Sequence, residues 1–216
     1  MNSWSLIYRE YDARQEKLRE ALCTLGNGYF CTRGAAPGSS AGEHHYPGTY
    51  LAGGYNRLQT EIAGRTIENE DLVNLPNWLP LSFRIEDGPW FDIDAVQLED
   101  YCQELDLRRG LLQRRFRFTD DRGRRTRVEE RRLVHMRDRH LAALDFRLAA
   151  ENWSGGITIR TALDGTIIND ALFHRDLLIF GTKDIAFKTP QAGLYSWRPS
   201  RERLNLPGEQ LLPGTG

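Results

Sequence analysis

No stretch of the 216-residue chain approaches the ~20 consecutive apolar residues of a membrane helix; the aliphatic–aromatic run Leu177–Phe180 is far too short. Met1–Ser5 shows no basic segment leading into an apolar one, so no secretory leader is expected. Cysteine is scarce. Cys23, Cys31 and Cys102 are odd in number, widely spaced and without a CxxC pair, which argues against a disulfide framework and a zinc site. Reduced thiols in a cytoplasm are expected. An excess of one charge is also missing. Lys+Arg total 29 against 30 for Asp+Glu, a net charge of -1. So even a balance generates no broad field for nucleic acid or anionic membrane, and neither is expected as a partner.

Catalytic signatures are lacking too. Gly26-Asn27-Gly28 is not a phosphate loop, and there is no GxSxG elbow and no HExxH helix. No catalytic residue, no metal ligand and no cofactor is assigned. His44 and His45 are adjacent in a loop, and adjacent residues on an extended chain point to opposite sides. Two carboxylate clusters have acid–base potential: Glu68, Glu70 and Asp71, and the pair Asp92 and Asp94. Residues two apart on a strand share a face at ~6–7 Å, a spacing that suits paired carboxylates. Such pairs are also common on exposed strands, and catalysis further requires a dry pocket that raises one pKa. The basic run Arg122, Arg124, Arg125, Arg127, Arg131 and Arg132 is interleaved with Asp120, Asp121, Glu129 and Glu130. It reads as a solvated strand face, since opposite charges cancel beyond roughly 10 Å.

What is present is mostly β pattern. Gln15–Leu22 can form a short helix, with Leu18 and Leu22 one turn apart. Gly26, Gly28 and Gly34 punctuate a turn feeding a strand, and Ala35–Gly48 must be a loop. From Leu81 to Leu163 a meander is expected. Leu111–Thr119 carries Phe116 and Phe118 on one face, and Asp120–Gly123 turns into Arg124–Val134. Met136–Arg139 turns into Leu141–Leu148, where Ala142, Leu144, Phe146 and Leu148 alternate with polar residues. Asn152–Gly156 turns into Ile157–Leu163. Period-two alternation with regular turns is the mark of an antiparallel sandwich or barrel with one wet face. Leu177–Ile185 can hold one further strand. The tail from Gln191, with Pro199, Pro207 and Pro213, reads as loosely ordered.

The segment Asn74-Leu75-Pro76-Asn77-Trp78-Leu79-Pro80 is unusual. Two prolines stiffen it, two amides offer donors and acceptors, and Trp78 has a flat apolar face with one N–H. Asn74, Asn77 and Trp78 are therefore candidates for holding a sugar ring. The alternative is a rigid corner with Trp78 plugging a core.

Leu25-Gly26-Asn27-Gly28-Tyr29-Phe30 followed by Thr32-Arg33-Gly34 resembles the LGNGY(L/F)GxRG motif near the start of glycoside hydrolase family 65. Pro47–Gly53, Asn69–Trp78, Tyr101 with Gln103–Gly110, Arg125–Arg132, Glu151–Gly155 and Ala162–Gly165 resemble its later motifs in order. The family contains maltose, trehalose and kojibiose phosphorylases and related hydrolases. The resemblance implies a mainly β fold: an antiparallel β-sandwich of super-sandwich type with a short N-terminal helix, incomplete at its C-terminal end. Residues 1–169 would be this N-terminal domain and 170–216 a divergent, loosely ordered segment. Open edges and exposed apolar surface would follow.

By the same resemblance the general acid and phosphate site lie in an (α/α)6 barrel that follows the sandwich. The chain is then expected to be a non-catalytic domain packing on that barrel, with Asn74–Trp78 facing barrel or sugar. The parent enzyme would use an α-glucosidic disaccharide, its acid protonating the leaving oxygen while phosphate or water attacks the anomeric carbon. A homodimer is a further expectation. Two other readings remain: a stand-alone carbohydrate-binding module using Trp4, Trp78, Trp90, Trp153 or Trp197, and a degenerate fragment. Cys31 stands where the family usually has Gly, with strain expected if its φ is positive. Cys102 stands where a basic residue is common.

Overall fold

The computed structural model describes residues 4–165, 182–188 and 194–197. β1 (Ser5–Tyr8) leads through a 3-10 turn (Ala13–Gln15) into α1 (Glu16–Leu22). Short strands β2 (Leu25–Gly26), β3 (Phe30–Thr32) and β4 (Thr49–Leu51) follow, then a hairpin of β5 (Tyr55–Ile62) and β6 (Arg65–Leu72). The remaining strands are β7 (Leu81–Ile85), β8 (Leu98–Asp106), β9 (Leu111–Thr119), β10 (Arg125–Val134), β11 (Ala142–Ala150), β12 (Gly156–Ala162), β13 (Thr182–Lys188) and β14 (Leu194–Trp197). A six-stranded antiparallel sheet has the order β1-β8-β9-β10-β11-β14. It faces a three-stranded sheet of order β13-β12-β7 across a shared core. The fold is mainly β, antiparallel and sandwich-like, as the sequence pattern predicts.

Alternation builds that core. β9 presents Phe116 and Phe118, and β11 presents Leu144, Phe146 and Leu148. These meet Leu81, Phe83 and Ile85 of β7 and Ile157 and Ile159 of β12. Phe83 stacks on Phe91 with ring centroids 4.8 Å apart. Full burial of each such side chain is worth about 1.5–3 kcal/mol. The turn at Asp120–Gly123 needs φ of +73° at Gly123, which glycine adopts without a Cβ penalty. Trp153 closes one end of the core, its indole N–H donating to the Thr126 Oγ1 at 3.0 Å. β13 pairs with β12 and β14 with β11, so each sheet gains a strand from beyond Asn169. The rest of the segment 170–216 lies outside the described residues; of the expected strand Leu177–Ile185, residues 177–181 lie outside them and Thr182–Ile185 falls in β13.

Three expectations are corrected. The basic run is not uniformly wet: Arg132 is buried together with Glu130, because both lie on the core-facing side of β10. Asp92 and Asp94 do not share a strand face; they sit on a turn in which the Asp94 N–H donates to Asp92 Oδ1 at 3.0 Å. Cys31 lies in β3 without a positive φ, so no glycine-type strain arises there.

Candidate functional site

α1 faces inward with its charges. Glu16, Arg19 and Glu20 are buried, whereas Leu18 and Leu22 are 56% and 53% exposed. The reason is what lies beneath. At mid-sheet the register places Gln103 of β8 opposite Arg114 of β9, and Arg114 opposite Glu130 of β10. Arg114, Glu130, Arg132 and Gln103 are all essentially without solvent exposure. Arg114 Nη1 donates to Glu130 Oε2 at 2.5 Å, and Arg132 Nε donates to Glu130 Oε1 at 3.1 Å. The guanidiniums also reach main-chain carbonyls, Arg114 to Gly34 at 3.0 Å and Arg132 to Ala35 at 2.6 Å. A polar layer thus separates the main core from a smaller one formed by Cys23, Leu25, Leu105, Leu112 and Val134. Buried charges require such pairing, since an unpaired one is very costly. Burial raises the Glu16 carboxyl above the ordinary range, against the pull of Arg114 and Arg19.

The layer continues outward through His45. His45 is buried; its Nδ1 lies 2.7 Å from Glu20 Oε1, and its Nε2 lies 3.4 Å from Asp94 Oδ2 and 3.2 Å from the Tyr11 hydroxyl. Tyr11 also donates to Asp94. Burial alone would lower the His45 pKa, but the hydrogen bond and charge of Glu20, with Asp94 behind, raise it above its ordinary value. Burial and the bond to Asp94 push the Tyr11 hydroxyl far up, keeping it protonated. Among the described residues no group of three or more His, Cys, Asp or Glu is arranged to hold a metal. Glu68 and Glu70 are exposed on β6, with Arg57 between them at 3.5 Å and 3.8 Å.

The sequence candidates Asn74, Asn77 and Trp78 are brought together in one corner. Asn74 is buried, accepting from Thr49 N–H at 2.9 Å and donating to Pro47 O at 3.2 Å. Asn77 is buried, accepts from Leu79 N–H at 3.0 Å, and exchanges two main-chain hydrogen bonds with Asp164. The Asn74 amide is thus spent on backbone at both ends, and the Asn77 amide at its oxygen. Trp78 is half-buried against the main core, and its indole Nε1 has no hydrogen-bond partner among the described residues. Asn27 does similar work: its Oδ1 accepts from Tyr29 and Phe30 N–H, and its Nδ2 reaches His135 O at 2.8 Å and Arg139 O at 3.1 Å. The ordered sequence motifs are thus a set of ties between distant segments.

The model for “Glycosyl hydrolase family 65, N-terminal domain” matches residues 6–188. The chain belongs to glycosyl hydrolase family 65. This family 65 domain is 51% identical over 166 residues to an uncharacterized glycosyl hydrolase of Mycobacterium tuberculosis, covering 77% of the chain and 12% of that protein. It is 33% identical to a kojibiose phosphorylase of Caldanaerobacter subterraneus, covering 78% of the chain and 20% of that enzyme. A solved structure, “Putative kojibiose phosphorylase from human microbiome”, superposes with a TM-score of 0.69 at 25% identity, over 76% of the chain and 22% of that structure. The domain spans a fifth or less of the length of these curated relatives. Sequence reasoning missed the buried network because charged residues on a core-facing strand look wet. The one available signal was that Glu130 and Arg132 stay in phase with Thr126, Val128 and Val134.

Proposed function

We propose that this domain is the non-catalytic N-terminal part of a disaccharide phosphorylase or glycoside hydrolase of carbohydrate metabolism, packing on a catalytic (α/α)6 barrel. The observation that carries the packing is α1. A helix that buries Glu16, Arg19 and Glu20 while exposing Leu18 and Leu22 is inverted relative to a water-facing helix. Covering two half-exposed leucines is worth on the order of 2 kcal/mol. A second contact is the stiff Asn74–Trp78 corner. With the Asn74 amide turned inward, Trp78 is the residue there whose partly exposed ring would face barrel or sugar. Among the described residues the hairpin β5–β6 pairs with no other strand, and its exposed Ile62 and Ile67 offer a surface for a homodimer. The whole enzyme would act in the cytoplasm on an α-glucosidic disaccharide; among the described residues no helix is long and apolar enough to cross a membrane.

The test is turnover. The purified chain is incubated with inorganic phosphate and maltose, trehalose or kojibiose, and sugar phosphate is assayed. A sample that melts cooperatively and releases none is the expected outcome. Release of sugar phosphate or free glucose above a no-protein control would overturn the reading.

A further inference from the structure

A groove of about 550 Å³ opens between the loop that ends at His45, the turn from Trp90 to Asp94, and the adjoining ends of β7 and β12. His45 and Asp94 are themselves part of its wall. The loop wall hangs on few ties. Before it, Arg132 donates to Ala35 O at 2.6 Å; after it, the Tyr46 N–H donates to Glu20 Oε2 at 2.7 Å. Between these points the N–H groups of Ser39 and Gly42 donate to Ala36 O and His45 O, inside the loop itself. Gly38 comes so near β7 that a Cβ there would stand 2.9 Å from Leu81 O, but this is contact without a hydrogen bond. Among the described residues, every hydrogen bond or ion pair that joins residues 36–45 to another segment runs through the His45 ring.

That ring lies between two carboxylates. Its Nδ1 is 2.7 Å from Glu20 Oε1, and its Nε2 is 3.4 Å from Asp94 Oδ2 and 3.2 Å from the Tyr11 hydroxyl, which itself donates to Asp94 Oδ1. Ionised carboxylates only accept, so these contacts need three protons. One points from the ring to Glu20, one from the ring toward Asp94 and the Tyr11 oxygen, and one from Tyr11 to Asp94. An imidazolium and a phenol supply three; a neutral imidazole and a phenol supply two. Once Nε2 gives up its proton, its lone pair meets the Asp94 carboxylate unless Tyr11 turns its own proton away from Asp94. Either way Asp94 loses a donor, and the cation between the two carboxylates is gone. The other charged groups around the ring are Glu16 on α1, paired with Arg19 at 3.2 Å and attracted by Arg114 of β9, and Asp92 and Arg160 on the groove wall.

We propose that His45 is a proton-operated latch: as imidazolium it holds the 36–45 loop against Asp94, and as neutral imidazole it releases the loop and lets the groove widen while both sheets stay folded. Glu20 and Asp94 favour the charged ring against the effect of burial, so release lies above the ordinary histidine value of about 6.5. The sheets do not depend on the latch, because their core residues sit in strands paired along full registers. Groove width is then the quantity that pH controls. The latch is made of this domain's own residues and works whether or not the domain docks on a barrel.

The experiment is an NMR titration of the intact chain from roughly pH 5.5 to 9, following amides and histidine Cε1–H signals. His44→Gln is used as the background, because His44 adjoins His45 and would titrate into the same amides. The His45 signal and the amides of residues 38–46 should move with one midpoint above about 6.5, and the strand amides of β9–β11 should not follow. Release itself is read from heteronuclear NOE values at Ser39–Glu43, which should fall above the midpoint while those of β9–β11 stay high. Asp94→Asn removes one flanking carboxylate and should lower the common midpoint by about one pH unit. His45→Gln should leave Ser39–Glu43 mobile at every pH. The proposal is overturned if the NOE values at Ser39–Glu43 are the same on both sides of the His45 midpoint, or if Asp94→Asn leaves that midpoint in place. It is equally overturned if the loop in His45→Gln still stiffens at low pH; should that variant fail to fold, Asp94→Asn decides.

Discussion

Glu130→Gln is the sharpest test of the buried layer. Glu130 holds two guanidiniums that are each 1% exposed, Arg114 at 2.5 Å and Arg132 at 3.1 Å. Glutamine keeps the shape and one acceptor but removes the negative charge. Two buried cations then remain near each other with only Glu16 and Glu20 as further counter-charges, and breaking a buried pair typically costs about 3–5 kcal/mol. The carbonyls of Gly34 and Ala35 still accept from these cations, which places the expected loss near the lower end, about 3 kcal/mol. For a chain of this size that lowers the melting temperature by ~6–12 °C. The assay is paired thermal and urea denaturation against Arg131→Ala, whose surface pair with Asp145 at 2.6 Å is exposed and worth under ~1 kcal/mol. If the two variants are equally mild, Glu130 is not compensating buried charge and the reasoning fails.

Two further perturbations read neighbouring parts of the same structure. His45 has a raised folded pKa, so its contribution is complete below the unfolded value of about 6.5 and disappears as pH rises through the folded value. The groups facing it are Glu20, Asp94, Glu16 and Tyr11. The melting temperature should fall as pH is taken from roughly 6 to 8.5, and His45→Gln should flatten that slope. Asn27→Ala removes four hydrogen bonds, two within the β2–β3 turn and two that tie it to the β10–β11 turn. A loss of about 2–4 kcal/mol is expected, seen as a lower urea midpoint at unchanged slope.

Legibility followed geometry. β9, β11 and β12 each have one face on the core and one toward water, so Phe116 and Phe118, Leu144 to Leu148, and Ile157 and Ile159 could be read from period two. β8 broke that rule. A bulge with φ of +52° at Asp100 shifts the phase, and Tyr101, Cys102 and Gln103 are buried consecutively. β10 kept its alternation, but two of its inward positions are Glu130 and Arg132, which hydropathy assigns to solvent. The Asn74–Trp78 segment was visible as a stiff corner, whereas the use of its amides depends on Thr49, Pro47 and Leu79, contacts that spacing alone does not reveal. The groove was invisible because its residues come from four separate segments.

The inverted helix and the buried layer explain each other, and this yields the last prediction. A purely apolar sheet face would invite Leu18 and Leu22 inward; a charged face with Arg114 and Arg132 instead draws Glu16 and Glu20 down and leaves the leucines outside. The layer then acts less as a source of stability than as a device that fixes which side of α1 points outward. Replacing Arg114, Glu130 and Arg132 together by Met, Leu and Met removes the charges of the triad as a set, while the Gly34 and Ala35 carbonyls lose their guanidinium donors. The triple variant should cost no more than Glu130→Gln alone, although it removes three charged groups instead of one. Its cost should fall on α1, because Glu16 loses the guanidinium that favours its charged form. Amide exchange at Glu16–Leu22 should accelerate by about tenfold or more while that of β9–β11 stays slow. A triple variant that keeps wild-type protection in α1 would show that the helix is oriented by Arg19 and His45 alone.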